Sequence, residues 1–134
     1  MASLFTKIIN RELPAHILAE DDNYLAFLDI RPINTGHSLV IPKLEVDRFF
    51  DLPDDILSNM MPFSKKISQA LEAVIPCNRV GVIVAGLEVP HAHLHLIPFD
   101  GIEELSFSYA KPASDDTLAK LAVKIKKEIN MSCS

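Results

Sequence analysis

His91-Ala92-His93-Leu94-His95-Leu96-Ile97 is the stretch on which the reading of this chain turns. Histidine recurs at every second position, and Ala92, Leu94 and Leu96 take the places between and after. On a helix a step of two scatters side chains around the cylinder; on a strand it sets them on one face. The spacing therefore predicts a strand over 91–97, bounded by Pro90 and Pro98, with three imidazoles on one face and apolar residues turned to a core. Imidazoles so crowded depress one another's pKa values, which keeps at least one ring neutral and nucleophilic near pH 7. Three in register are not incidental surface histidines. Two chemistries suit them: a metal site, since strand-borne His-x-His pairs supply zinc ligands, and metal-free attack on phosphorus by imidazole. Spacing alone leans slightly to metal.

The elements around this strand follow from periodicity and punctuation. Leu4 to Ile9 reads as a short amphipathic helix ending before Pro14. Ile17 to Glu20 and Tyr24 to Asp29 read as strands joined by the turn residues Asp21-Asp22-Asn23. Arg31 to Gly36 is a loop, and His37 to Ile41 a third strand closed by Pro42. A long helix begins at Pro53, suited to a first helical position, with Asp54 and Asp55 at its positive end. Ile56, Met60, Phe63, Ile67, Leu71 and Val74 form its apolar stripe; Pro62 is expected to kink or divide it, and Pro76 ends it. The Met60, Met61 and Phe63 cluster reads as core or dimer contact. Val80 to Ala85 is a further strand. Ser114 caps a last helix to about residue 131, with Leu118, Leu121, Ile125 and Ile129 on one face and Lys124, Lys126 and Lys127 solvated near its end. His16 reads as a surface residue. This order predicts one α+β domain over 1–134 with a mainly antiparallel, five-stranded sheet.

The 134 residues carry a net charge of -5, which argues against a nucleic-acid partner, since that needs a clustered basic surface. It leaves room for a small anion in a locally positive pocket. No signal peptide or membrane span is read, and Cys77 and Cys133 are isolated thiols. The expected setting is a reducing cytoplasm without membrane contact.

The His91 to Ile97 run matches the His-φ-His-φ-His-φ-φ signature (φ apolar) of the histidine triad (HIT) family. Gly36-His37-Ser38-Leu39-Val40-Ile41-Pro42-Lys43 also resembles that family, as do Phe5-Thr6-Lys7-Ile8-Ile9, Glu12-Leu13-Pro14-Ala15 and Leu25-Ala26-Phe27-Leu28-Asp29-Ile30. The resemblance covers about residues 4–98 in order, and the length is nearest the small nucleoside-phosphoramidate hydrolase (Hint-like) branch, bacterial type. It implies a HIT-like fold whose sheets join across a homodimer, with the strand at Val80 to Ala85 and the long helix as contact elements. It implies that His93 attacks the α-phosphorus of a nucleotide derivative and that water releases the nucleoside monophosphate from a nucleotidyl-histidine. His95 would contact phosphate and leaving group, while His91 and His37 orient the cluster. Asp29 would hold the ribose; Leu4, Phe5, Ile8, Phe27 and Ile30 would wall the base, purine being the better fit. Gly86, Glu88 and the Val89 N–H would lie by the phosphate. Read without the resemblance, the five apolar residues are simply core.

Some bacterial relatives hold structural zinc with an N-terminal Cys-x-x-Cys and a histidine after Pro-Lys. Those positions here read Ser3, Thr6 and Glu45, a poor zinc set, so neither metal nor other cofactor is expected. Gly86 is followed by Leu87 and Glu88 where the family often has Gln and then Ser or Thr, and Ala85 stands where an amide is usual. The main expectation is a nucleotidyl hydrolase or transferase, a phosphoramidase or dinucleoside polyphosphate hydrolase. A nucleotide-binding or scaffolding protein with weak turnover is the alternative, and a metal-dependent hydrolase the third.

Overall fold

A computed structural model describes residues 2–132 of the chain. Five strands, β1 (Ile17–Glu20), β2 (Tyr24–Leu28), β3 (Ser38–Pro42), β4 (Arg79–Ile83) and β5 (Leu94–Phe99), pair antiparallel in the order β1-β2-β3-β5-β4. The α+β fold with one long and one C-terminal helix is as the sequence predicts. α1 (Leu4–Ile9) has the expected bounds, capped by the Ser3 hydroxyl on the Thr6 N–H.

The sheet separates two cores. On one side α2 (Asp54–Val74) and α3 (Asp115–Ser132) bury Met60, Ile67, Leu71 and Ile125 against Ala26, Val40, Leu94 and Leu96. On the other, α1 sets Phe5 and Ile8 on Leu25, Phe27, Leu39 and Ile41. Strands β2 and β3 are buried along their whole length because each face carries helix.

Several local expectations are corrected. Pro53 is the N-cap of α2, one place before its first helical residue. α2 runs unbroken through Pro62; Pro62 is on the exposed side, so the carbonyl that loses its N–H partner can turn to water. Met60 and Phe63 are core, but Met61 is half exposed. Pro98 lies inside β5 rather than bounding it. The β3 register ends at Leu96, so Pro98 has a ladder neighbour on β4 only, where a missing N–H is tolerated. His16 is half buried and bonds Asp115 at 2.9 Å, tying the approach to β1 to the start of α3. The Ser114 hydroxyl caps α3 through the Thr117 N–H. Cys77 is unpaired and partly buried, and burial pushes its thiol up; Cys133 lies outside the described residues.

Candidate active site

The predicted strand over 91–97 is shifted in the structure. β5 begins at Leu94, so His91 and His93 precede the ladder and only His95 is within it. The alternation is real nonetheless: Ala92, Leu94 and Leu96 enter the larger core. A main-chain bond from Ala92 N–H to the Val46 carbonyl, 2.7 Å, anchors this segment ahead of the sheet.

Register brings the histidines together. Leu39 pairs with His95, and His37, two residues before Leu39, places its Nε2 2.9 Å from His95 Nδ1. His37 arrives from a turn in which Gly36 takes φ +91°, a conformation glycine adopts without Cβ strain. The partners fix each tautomer. The Ile33 N–H donates to His37 Nδ1 at 3.0 Å, so the neutral ring carries its proton on Nε2 and donates it to His95 Nδ1. His95 then carries its own proton on Nε2. His93 Nδ1 donates to the His91 carbonyl at 2.7 Å, which leaves His93 Nε2 as a basic nitrogen. His91 Nε2 donates to the Pro42 carbonyl at 2.8 Å. The hydrogen bond between His91 and His93 thus runs through the main-chain carbonyl of His91.

Burial holds the rings of His37, His95 and His91 neutral. It lowers His37 to about 4 and, with help from His37 and His93, His95 to about 3. His91 is lowered for the same first reason. Mutual repulsion, the cause read from the sequence, is secondary to desolvation.

His93 and His95 open on a cavity of about 360 Å³. Leu4, Phe5, Ile8, Phe27, Ile30, Asp29, Glu88 and Val89 line it, so eight of the nine nucleotide-side candidates meet there. Gly86, with φ +75°, does not line it. Phe5, Ile8 and Phe27 are core and cavity wall at once, whereas Leu4 and Ile30 are exposed. Phe5 presents its ring edge-on to His93 at 5.0 Å. The Asp29 carboxyl accepts the Arg31 N–H at 2.9 Å, and burial raises its pKa. Its second oxygen stands 3.5 Å from His37 Nε2. Among the described residues, Asp29, His37 and His95 bring ligand atoms within 4.8 Å of one another; a metal there would have to replace the proton already shared by the two rings.

Sequence reasoning missed Arg31 and Leu39 in the lining and Phe107, whose ring meets His95 at 4.9 Å. Nothing periodic marks Phe107; it comes from a loop of short turns between β5 and α3.

Comparison with known proteins places this geometry. A family model described as the HIT domain matches residues 10–102. An uncharacterised HIT-like protein of Methanocaldococcus jannaschii is 40% identical over 124 residues, covering 87% of this chain and 95% of that protein. The adenosine 5'-monophosphoramidase of Saccharomyces cerevisiae is 36% identical over 132 residues, 96% of this chain and 80% of that enzyme. A zinc-bound histidine triad family protein from Mycobacterium smegmatis superposes with a TM-score of 0.85 at 26% identity, covering 99% and 96% of the two chains. The chain belongs to the histidine triad family.

Proposed function

We propose that this protein is a nucleotide hydrolase that cleaves at the α-phosphate of a nucleoside phosphoramidate through a nucleotidyl group on His93. One observation carries the reading: His93 has its Nδ1 proton committed to a carbonyl, so Nε2 is a lone-pair nucleophile at the cavity, with His95 beside it. The phosphoramidase relative supports the choice of leaving group.

In the first step His93 Nε2 bonds to phosphorus and the bond from phosphorus to the amine breaks, the amine taking its proton from solvent while the His95 Nε2–H donates a hydrogen bond to the phosphoryl oxygen. The His37 N–H on His95 Nδ1 fixes the tautomer that makes this donor. In the second step water attacks phosphorus, its proton passes to solvent, and the bond to His93 breaks. Splitting one displacement in two is the advantage of a covalent nucleophile. Asp29 accepts the ribose hydroxyls, and Leu4, Phe5, Ile8, Phe27 and Ile30 face a purine base. Val89 offers its N–H to the phosphate, which Pro90 lacks the group to do. Two copies pair through the edge strand β4, where Val82 is half exposed, the isologous arrangement commonest among oligomers. A cytoplasmic setting fits a chain in which no described helix is long and apolar enough to cross a membrane.

The test is release of AMP from adenosine 5'-monophosphoramidate. His93→Ala should abolish it while the circular dichroism spectrum is kept, and mass spectrometry of quenched wild type should find an adenylylated His93. Unchanged turnover in His93→Ala overturns the mechanism. Tight AMP binding with no turnover over a panel of phosphoramidates, dinucleoside polyphosphates and nucleotidyl sulfates selects a binding protein instead.

A further inference from the structure

His91 and His93 lie outside the β-ladder, yet the nucleophile depends on the His91 carbonyl. Something other than sheet pairing must hold that segment. Its ring is wholly buried and bound at both nitrogens: Nε2 to the Pro42 carbonyl, and Nδ1 to the Ser3 hydroxyl at 2.8 Å. Because Nε2 faces a carbonyl it carries the proton, and Nδ1 must accept one. Two hydroxyls are within reach of Nδ1, but that of Thr6, at 3.4 Å, is committed to Glu45 Oε1 at 2.6 Å. Ser3 is therefore the donor. Its own main-chain N–H donates to the same Glu45 oxygen, also at 2.6 Å. Its hydroxyl oxygen still accepts from the Thr6 N–H as the α1 cap. One carboxylate beyond β3 thus gathers the start of α1 and aims a hydroxyl at the buried ring. These contacts with Ser3 and Thr6 hold the Glu45 carboxyl at about 2, ionised under all ordinary conditions.

We infer that Ser3 and Glu45 are positioning residues for the reaction, a clasp that fixes the ring of His91 and, through its carbonyl, the aim of His93. This rests on the reading of His93 as nucleophile. The clasp reaches substrate by a second route, since α1 brings Leu4, Phe5 and Ile8 to the cavity wall. Glu45 itself touches neither the cavity nor His93. Its effect arises because a displacement of the nucleophile by a fraction of an ångström removes the in-line approach to phosphorus.

The experiment uses the full chain with four substitutions. Ser3→Gly removes the hydroxyl while leaving a residue well tolerated at an N-cap, and Glu45→Ala removes the carboxylate from an exposed position. Ser3→Thr keeps a donor and a cap, and Glu45→Gln keeps an acceptor oxygen. With adenosine 5'-monophosphoramidate, kcat should fall about tenfold to a hundredfold in the first pair, by more than KM rises, and recover in the second. Ring ¹⁵N shifts should show His91 as the Nε2–H tautomer in both wild type and Ser3→Gly, since the Pro42 carbonyl is kept, with the Nδ1 resonance moved in Ser3→Gly by loss of the hydrogen bond from the hydroxyl. A kcat within twofold of wild type in both Ser3→Gly and Glu45→Ala overturns the inference, as does a loss that the conservative pair fails to restore. If wild type itself turns nothing over, the proposed activity falls. The ring shifts then still decide the clasp: a moved Nδ1 resonance in Ser3→Gly upholds it, an unchanged one overturns it.

Discussion

Lowering the pH from 7 to 5 should cost the fold about 4 kcal/mol, and two rings supply most of it. His37 and His95 have an ordinary value of 6.5, which burial lowers to about 4 and about 3. Between those values and 6.5 the unfolded chain binds a proton that the folded one refuses. Stability is therefore fully present above pH 6.5 and is lost as pH falls toward the folded values. At pH 5 each unfolded ring gains RT ln(1 + 10^1.5), about 2 kcal/mol, and the folded rings gain almost nothing. His91 adds to the loss, and Asp29, whose carboxyl burial holds above its usual range, offsets part of it. Urea unfolding at the two pH values reads the difference directly. The His37→Gln, His95→Gln double variant removes both titrations and keeps polar side chains, so its pH slope should fall by at least half. Equal wild-type stability at pH 5 and pH 7, or an unchanged slope in the double variant, would refute the reasoning.

Three further outcomes are expected. Glu88 lines the cavity with Asp29 and opposes an anionic leaving group; Glu88→Ser should raise kcat/KM for a dinucleoside polyphosphate relative to a phosphoramidate by about tenfold, the effect of one partly screened unit charge. Gly36→Ala places a Cβ 2.0 Å from Ile75 Cδ1 at φ +91°; it should destabilise by about 2–4 kcal/mol through strain and overpacking, read as a lowered Tm. Metal analysis should find no tightly held zinc in the purified chain, and chelators should leave activity unchanged, whereas Ser3→Cys, Thr6→Cys, Glu45→His should take up about one zinc per chain with His91 as the fourth ligand.

The sequence exposed faces better than hydrogen bonds. The two-residue alternation of 91–97 put Ala92 and Leu94 in the core, but it ran past the end of the ladder, where Ala92 is held by the Val46 carbonyl instead of a partner strand. Asp29 and the apolar wall were legible because a motif places them together in order. Phe107 was not, since its contact with His95 crosses a loop without periodicity. Nor was the Ser3–Glu45–His91 cluster, whose members are 42 and 88 positions apart. Each reads locally as a cap, a surface acid and a triad member. Only the tertiary closure of α1 against the end of β3 gives them one role.

The two cores on either side of the sheet have unequal means of staying closed. The larger is sealed by two long helices that pack on each other as well as on the strands. The smaller depends on six helical residues and the bonds at their first turn. Cooperative units open in order of what they bury, so α1 belongs to the part of the molecule that can come away and return while the rest stays native. The cavity wall that α1 supplies is thus built on a unit held by few contacts, and a ligand in that cavity, by adding its own contacts there, would join the unit to the fold.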